Sequence, residues 1–222
     1  MYSLSQRQGK MNLWNRYLHP QPQTYHVQME AVTAFVLAGG KSSRMGRDKA
    51  LLELQGKPLL QRAIELALTA AHDVRIVGDP EKYACFGRVV ADIHTNRGPL
   101  GGIHAALANT ATELNLILAT DLPSIQPGFL KHLITTAEST DALVTVPRVD
   151  EYFEPLCAVY RKNFAEIAHT ALSQGRNKVD ALFAETNTRA VTRHEIVRAG
   201  FSTSMFRNLN TPDDLAQVES DL

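Results

Sequence analysis

Short apolar runs alternate along the chain with segments in which apolar residues recur at helical spacing. The apolar runs predict strands at residues 33–37, 74–77, 88–91, 114–119, 142–146 and 156–160. The helical spacing predicts helices at residues 58–70, 101–109, 127–138, 163–172 and 179–183, with a last helix opened by Pro212. Strands that alternate with helices are typical of parallel sheets, so the pattern predicts an α/β fold.

The chain of 222 residues, 44% of them hydrophobic, has the size and composition of one domain. We assign that domain to residues 31–222. Residues 1–30 are rich in Gln, Tyr and His and contain two prolines, so we expect this extension to be disordered or loosely packed. It has no apolar stretch typical of a secretory signal, and no run in the chain reaches transmembrane length, so we expect no membrane association.

Charge and cysteine content narrow the classes of function. The formal net charge is zero, so no overall field would draw the chain to nucleic acid. Two cysteines far apart in sequence, Cys85 and Cys157, are not a disulfide framework, and we expect both to be buried reduced thiols of a cytoplasmic protein. The eight histidines are scattered without metal-ligand spacing.

A glycine-rich basic loop follows the first predicted strand. Gly39 and Gly40 come at the strand end, and residues 41–49 carry four basic side chains and one acid. Glycines allow the backbone to approach an anion, so the loop is a candidate phosphate site, although a solvated basic turn would have the same composition. The P-loop pattern would need glycine where Phe35 stands, and the dinucleotide fingerprint has a different glycine spacing.

Further candidate residues follow the predicted strands at 74–77, 88–91 and 114–119 and should reach the same edge of the sheet, where open α/β sheets bind ligands. They are Gly78 and Asp79, Asp92, and Asp121. Asp121 ends a buried strand close to Pro123, so its carboxylate would be rigidly aimed, as in a Mg²⁺ ligand. Taken alone, it would equally fit an aspartate that caps a turn.

Several ordered blocks resemble one known family, the nucleotidyltransferases that make molybdenum cofactor guanine dinucleotide, usually called MobA. The blocks are LAGGKSSRMGRDKALL at residues 37–52, GKPL at 56–59, Asp92 before GPLGG at 98–102, ATDLP at 119–123, EPL at 154–156 and NLNTP at 208–212. Together they cover most of the chain after the N-terminal extension. The resemblance implies a three-layer, Rossmann-like nucleotidyltransferase fold with a mostly parallel central sheet.

The resemblance also implies roles for individual residues. The residues that it places against GTP are Leu37, Ala38, Gly39, Lys49, Asp92 and Asp121. Lys49, Arg44 and Asp121 would carry catalysis, with Asp121 holding Mg²⁺. Asn208 and Asn210 would lie on the pterin side, facing one side of a short strand.

The implied reaction transfers GMP from GTP to the terminal phosphate of molybdenum-molybdopterin and releases pyrophosphate. Molybdenum-insertion proteins and acceptor molybdoenzymes would be its protein partners. Alternatives from the same superfamily are a cytidylyltransferase, although Gly40 and the GPLGG block favour the guanylyl branch, or a sugar-phosphate or isoprenoid-precursor nucleotidyltransferase. An alternative from another class is a non-catalytic protein that senses GTP or carries the pterin.

Overall fold

The computed structural model describes residues 31–39, 48–94, 97–209, 211, 214 and 217–218. Within these ranges the strands are β1 (Val32–Leu37), β2 (Glu53–Leu54), β3 (Lys57–Pro58), β4 (Asp73–Val77), β5 (Val89–Val90), β6 (Leu114–Ala119), β7 (Val144–Val149), β8 (Tyr152–Phe153), β9 (Cys157–Arg161) and β10 (Thr188–Thr192). The helices are α1 (Leu59–Leu68), α2 (Pro80–Tyr83), α3 (Gly98–Ala108), α4 (Pro127–Glu138), α5 (Phe164–Ser173), α6 (Asp180–Phe183) and α7 (Arg193–Arg198). Short 3-10 helices occupy Lys49–Leu51 and Thr203–Phe206.

One central sheet runs in the order β10-β7-β9-β6-β1-β4-β5, with β8 paired to β7. β1 is parallel to both β4 and β6, β4 is parallel to β5, and β10 is parallel to β7. β9 runs antiparallel to both of its neighbours, β6 and β7. The residues between β7 and β9 form a tight return through β8. This connection is too short for the crossover that a parallel strand requires.

Helices cover both faces of this sheet, which confirms the predicted three-layer α/β fold. One apolar cluster joins the sheet to α1, α4 and α7, and includes Leu60, Phe129 and Ile196. A second cluster joins the opposite face to α3, α5 and α6, and includes Ile103 and Phe164. The site-bearing strand ends are therefore fixed between two packed layers.

Local sequence explains where several elements begin. Pro58 precedes α1, whose buried residues Leu59, Leu60, Ala63 and Ala67 follow the predicted apolar stripe. Thr192 and Glu195 form a reciprocal capping box at the start of α7, which the apolar pattern did not predict. β10 was also missed, as was the hairpin of β2 and β3.

Polar residue Asn115 lies within the apolar run of β6 and is fully buried. Its amide nitrogen donates to the carbonyl oxygens of Thr112, Glu113 and Tyr160, and its amide oxygen accepts from the Thr112 hydroxyl. These bonds satisfy a side chain that would otherwise be costly to bury. They also tie the amino end of β6 to β9.

Two expectations about local structure were wrong. Cys157 is buried, but Cys85 is exposed, because it lies just beyond α2 at the surface. Asn208 and Leu209 do not lie in a strand, and the Leu209 N–H donates to the carbonyl oxygen of Asp121 in the loop after β6, while Asn210 lies outside the described residues. Helix α3 begins at Gly98, three residues before the predicted start at Gly101.

Candidate active site

Four neighbouring parallel strands end at one edge of the sheet, as the sequence predicts. β6, β1, β4 and β5 lie side by side in this order, and their ends are followed by Asp121, Ala38 and Gly39, Gly78, and Asp92, respectively. At about 4.8 Å per strand, the three strand spacings from β6 to β5 span roughly 14 Å. The candidate site is therefore extended along this edge, which we call the crevice, and carries different residues at its two ends.

Lys49 and Asp121 form an ion pair at the β6 end of this crevice. Lys49 Nζ donates a hydrogen bond to Asp121 Oδ2 at 2.8 Å, and the two side chains are 21% and 25% exposed. The pair joins residues 72 positions apart, so it forms only in the folded chain. It puts a cation that can neutralise phosphate next to a carboxylate that can bind a metal ion.

Asp48 fixes the backbone that presents Lys49. Its Oδ1 accepts from the Ala50 N–H and caps the 3-10 helix, while its Oδ2 accepts from the Tyr83 hydroxyl at 2.8 Å. The Tyr83 hydroxyl also lies 3.1 Å from the carbonyl oxygen of Ala38, at the end of β1. Helix α2 therefore connects both sides of the glycine-rich loop.

At the β5 end, Asp92 packs against the start of α3. Its Oδ1 accepts from the His94 N–H at 2.9 Å, and a side chain at Gly101 would lie 3.5 Å from the same oxygen. A side chain at Gly102 would lie only 2.6 Å from Leu37 Cδ2. The two glycines of the GPLGG block thus let α3 approach both β1 and the Asp92 segment closely.

Glu154 is a further site residue, to which the sequence analysis gave no role beyond its place in the EPL block. It lies between β8 and β9, at the same edge as Asp121, and its backbone N–H donates to the carbonyl oxygen of Pro147. Burial raises the pKa of Glu154 to about 7, and the negative charges of Asp121 and Asp180 add to this effect. A carboxyl group whose pKa is strongly raised beside another carboxylate is a frequent feature of functional sites.

Asn208 lies close to this group through its neighbour. The Leu209 N–H donates to the carbonyl oxygen of Asp121 at 3.0 Å, so the exposed Asn208 is held beside the loop that carries Asp121. Arg44, Gly40 and Asn210 lie outside the described residues. The structure therefore gathers Lys49, Asp121 and Asn208 at one end of the crevice and places Asp92 at the other.

The donor set around Asp121 suits a hard divalent cation. Asp121 is partly exposed, and Glu154 is close enough for the charge of Asp121 to raise its pKa. Carboxylate oxygens are the protein ligands that Mg²⁺ prefers, and Mg²⁺ commonly takes only one or two of them. The residues present fit such an ion.

A three-layer α/β fold with a basic loop and an acid at neighbouring strand ends defines a nucleotide-binding class of protein. Within this class, residues 34–191 match the MobA-like NTP transferase domain family. The chain belongs to this family, whose members are nucleotidyltransferases.

Individual relatives agree with this assignment. A protein of Peptoclostridium acidaminophilum named "Probable molybdenum cofactor guanylyltransferase" is 34% identical over 194 residues, covering 83% of this chain and 87% of its own length. The molybdenum cofactor guanylyltransferase of Desulfosudis oleivorans is 33% identical over 195 residues, covering 86% and 96%.

A solved structure of an archaeal protein is also similar. The molybdopterin-guanine dinucleotide biosynthesis protein A of Archaeoglobus fulgidus superposes with a TM-score of 0.75 at 29% identity, covering 85% of this chain and 97% of that one. None of the helices in the described ranges combines the length and the apolar character that crossing a bilayer requires.

Proposed function

We propose that this protein transfers GMP from GTP to the terminal phosphate of molybdenum-molybdopterin. A phosphate oxygen of the pterin forms a bond to the α-phosphorus of GTP, the bond from that phosphorus to the α,β-bridging oxygen breaks, and pyrophosphate leaves with the bonding electrons. A phosphate monoester is already nucleophilic at neutral pH, so the reaction requires no protein base. Positioning and charge neutralisation are then the main tasks of the protein.

The ion pair of Lys49 and Asp121 is the observation that carries this proposal. In the protein alone the two side chains neutralise each other at 2.8 Å. A nucleotide and a cation would offer each of them a new partner, with phosphate oxygens at Lys49 and the cation at Asp121. Arg44, in the neighbouring basic loop, is proposed to add a second cation with a fork of donors that matches phosphate.

The far end of the crevice is proposed to hold the guanosine part of GTP. Guanine presents an N1–H and an exocyclic amine, both donors, which suit the carboxylate of Asp92. The distance of roughly 14 Å along the sheet edge leaves room for a nucleotide between Asp92 and the phosphate end. Backbone groups of Leu37, Ala38 and Gly39 would line the middle, where a side chain at Gly39 would meet no atom of the described residues within 4 Å.

We assign the cation to Mg²⁺, held by Asp121. When bound, such an ion neutralises the charge that develops on the transferred phosphate and on pyrophosphate. Lys49 would bind phosphate oxygens beside it, and the backbone amides near Gly39 would orient the chain of phosphates.

The acceptor is proposed to enter on the side of Asn208, with Asn210 in the same segment. The link from Leu209 to the Asp121 carbonyl supports this placement, because it holds the segment next to the reacting end of the crevice. Molybdenum-insertion proteins would deliver the acceptor, and molybdoenzymes would receive the product. We place these steps in the cytoplasm, where GTP is available.

Pyrophosphate release with Mg²⁺ and molybdenum-loaded molybdopterin tests the proposal, with GTP, CTP, ATP and UTP compared as donors. Release with GTP alone is the expected result. Release with CTP would assign the protein to the cytidylyl branch. If none of the four donors gives pyrophosphate release, despite measurable GTP binding, the result would favour a sensor or carrier.

The variant Asp121→Asn tests the metal assignment within the same assay. It should lower turnover by at least about a hundredfold, which is typical for removal of a group that stabilises developing charge. The matched control is Asp141→Asn, an exposed aspartate that precedes β7 at the opposite edge of the sheet. Equal turnover in the two variants would reject the role of Asp121.

A further inference from the structure

Three histidines from separate elements meet next to Asp92. His94 follows Asp92 by two residues, His104 lies on α3 and His169 lies on α5. Their ring centroids are 5.0, 5.4 and 6.1 Å apart, and one nitrogen from each ring lies within 4.8 Å of the other two. We refer to His94, His104 and His169 as the histidine cluster.

Two nitrogens of the histidine cluster are buried without a hydrogen-bond partner among the described residues. They are Nε2 of His94 and Nδ1 of His104, and His104 as a whole is only 8% exposed. Buried polar atoms are nearly always bonded in native proteins, and an unpaired one lowers stability. A metal ion bound among the three rings would give such nitrogens a partner.

The other two rings of the cluster and a carboxylate lie close to His104. Burial lowers the pKa of His104, and the neighbouring His94 and His169 lower it further, while Asp92 acts in the opposite direction. Neutral imidazole is the form that binds metals. The carboxylate of Asp92 accepts a hydrogen bond from the backbone N–H of His94 and so puts a negative charge beside the cluster.

We propose that the histidine cluster binds one divalent transition-metal ion of the zinc class, at a site separate from Asp121. Three imidazoles suit Zn²⁺ and its neighbours in the first transition row, whereas Mg²⁺ prefers oxygen ligands. Zn–N bonds of about 2.0–2.1 Å in a tetrahedral site require nitrogens about 3.4 Å apart. Rotation of the exposed His169 ring and a small shift of His94 would close the present spacing.

Such an ion would join three separate elements, of which the segment after β5 and the start of α3 are already linked by the hydrogen bond from the Arg97 N–H to the His94 carbonyl oxygen. It would link the segment after β5 to α3 and α5. The backbone N–H of His94 already donates a hydrogen bond to the carboxylate of Asp92. The ion would thereby fix the residue that the proposed function places at the base of the nucleotide. Metal binding itself does not depend on the transfer reaction, so it can be tested separately.

The test uses the full-length protein, stripped with a chelator and then titrated with Zn²⁺ in the presence of excess Mg²⁺. Wild type should retain one equivalent of zinc after gel filtration, and Co²⁺ in its place should give the intense visible absorption of a tetrahedral site. Zinc should also raise the unfolding temperature, since a ligand that binds only the folded state stabilises it. Chelation should reverse this increase.

The deciding variant is His169→Gln, because His169 is exposed on α5 and its loss should leave the fold intact. We expect its zinc affinity to fall about tenfold or more, with loss of the cobalt spectrum. The matched control is His194→Gln, an exposed histidine on α7 outside the histidine cluster. His104→Gln provides a second, buried test of the same site.

Two outcomes would overturn the proposal. One is the absence of stoichiometric zinc binding to wild type. The other is equal zinc affinity in wild type and His169→Gln, which would place the ion on other histidines, including His19 and His26 of the N-terminal extension.

Discussion

In the part of the chain that the structure describes, one cation, Lys49, and two carboxylates, Asp121 and Glu154, lie at the β6 end of the crevice. Lys49 bonds directly to Asp121, whereas Glu154 is partly buried near the same negative charge. The pKa of Glu154 therefore rises to about 7, from an ordinary value of 4.5. A bound cation would remove this repulsion, so the protonation of Glu154 and metal binding are thermodynamically linked.

Replacement of Glu154 by Gln should change how stability depends on pH. Because the pKa of Glu154 is raised in the folded state, the folded protein binds more protons than the unfolded chain between pH 4.5 and about 7. Wild type should lose about 1–2 kcal/mol relative to Glu154→Gln as pH rises through this window, a figure reduced for solvent screening. Denaturant unfolding of the metal-free protein at several pH values measures the difference.

The control for this experiment is Glu151→Gln, since the Glu151 side chain is 85% exposed. Its stability should follow wild type at every pH. Parallel stability curves for wild type and Glu154→Gln would contradict the raised pKa.

Replacement of Lys49 by Gln should affect activity far more than stability. The ion pair with Asp121 is partly exposed, so its loss should cost no more than about 1 kcal/mol of folding free energy. Turnover should fall about a hundredfold, because the positive charge proposed to bind phosphate is gone. Lys57→Gln, which breaks the exposed pair with Glu65, is the comparison that should keep the wild-type rate of pyrophosphate release.

At the scale of elements, glycines set how closely helices approach the site-bearing strand ends. Gly78, directly after β4, leaves room for the ring of Tyr83, whose hydroxyl holds Asp48. Gly102 on α3 leaves room for Leu37 of β1. The site therefore depends on the packing of α2 and α3 as much as on its charged side chains.

A methyl group at Gly78 should disturb this packing. In Gly78→Ala the new carbon would lie 2.8 Å from Tyr83 Cε2, and the buried ring has little freedom to move away. We expect a loss of about 1–3 kcal/mol in the free energy of unfolding, together with reduced GTP affinity as Asp48 shifts. Thermal unfolding and GTP titration measure the two effects.

Gly128→Ala is the matched control for Gly78→Ala. The new carbon would lie 3.4 Å from Phe201 Cε1, at the edge of ordinary contact, and alanine favours the helix α4 that contains it. Its stability should equal or exceed that of wild type. Equal stability of all three proteins would contradict the close-packing argument.

At the scale of the whole molecule, the sequence pattern predicted the element bounds, which depend on local periodicity, and the convergence of strand ends, which depends on strand order. β6 and α4 have the predicted bounds, β1 differs by one residue, and the convergence of strand ends follows from their parallel order. The antiparallel direction of β9 follows from the short return from β7, a signal already present in the few residues between the predicted strands at 142–146 and 156–160. The 207–209 segment shows that alternating polar residues alone do not make a strand.

Two features of the site area escaped sequence reasoning for a different reason. Glu154 gains its raised pKa from burial and from the charges of Asp121 and Asp180, which are distant from it in sequence. The histidine cluster joins positions 94, 104 and 169 from three elements, so no local ligand spacing in the sequence indicates it. Both are properties of tertiary proximity, which a single sequence shows only through its fold.

The N-terminal extension should be dispensable for folding. The family match begins at residue 34, and in the described ranges the core elements begin with β1 at Val32. A chain that begins at Met29 should have the same unfolding temperature as the full chain in calorimetry. A chain that begins at Val36 should fail to fold, because it lacks most of β1, which pairs with both β4 and β6.

The reversed strand β9 divides the central sheet into two parallel blocks, one of β5, β4, β1 and β6 and one of β7 and β10. In the proposed function the first block holds the donor nucleotide, while the chain after Asp121 supplies the acceptor side. In evolution, substitutions in the second half of such a chain can therefore adapt it to a new acceptor while the donor half stays unchanged. All four strands of the first block precede both strands of the second along the chain, so recombination between β6 and β7 would do the least damage to either half.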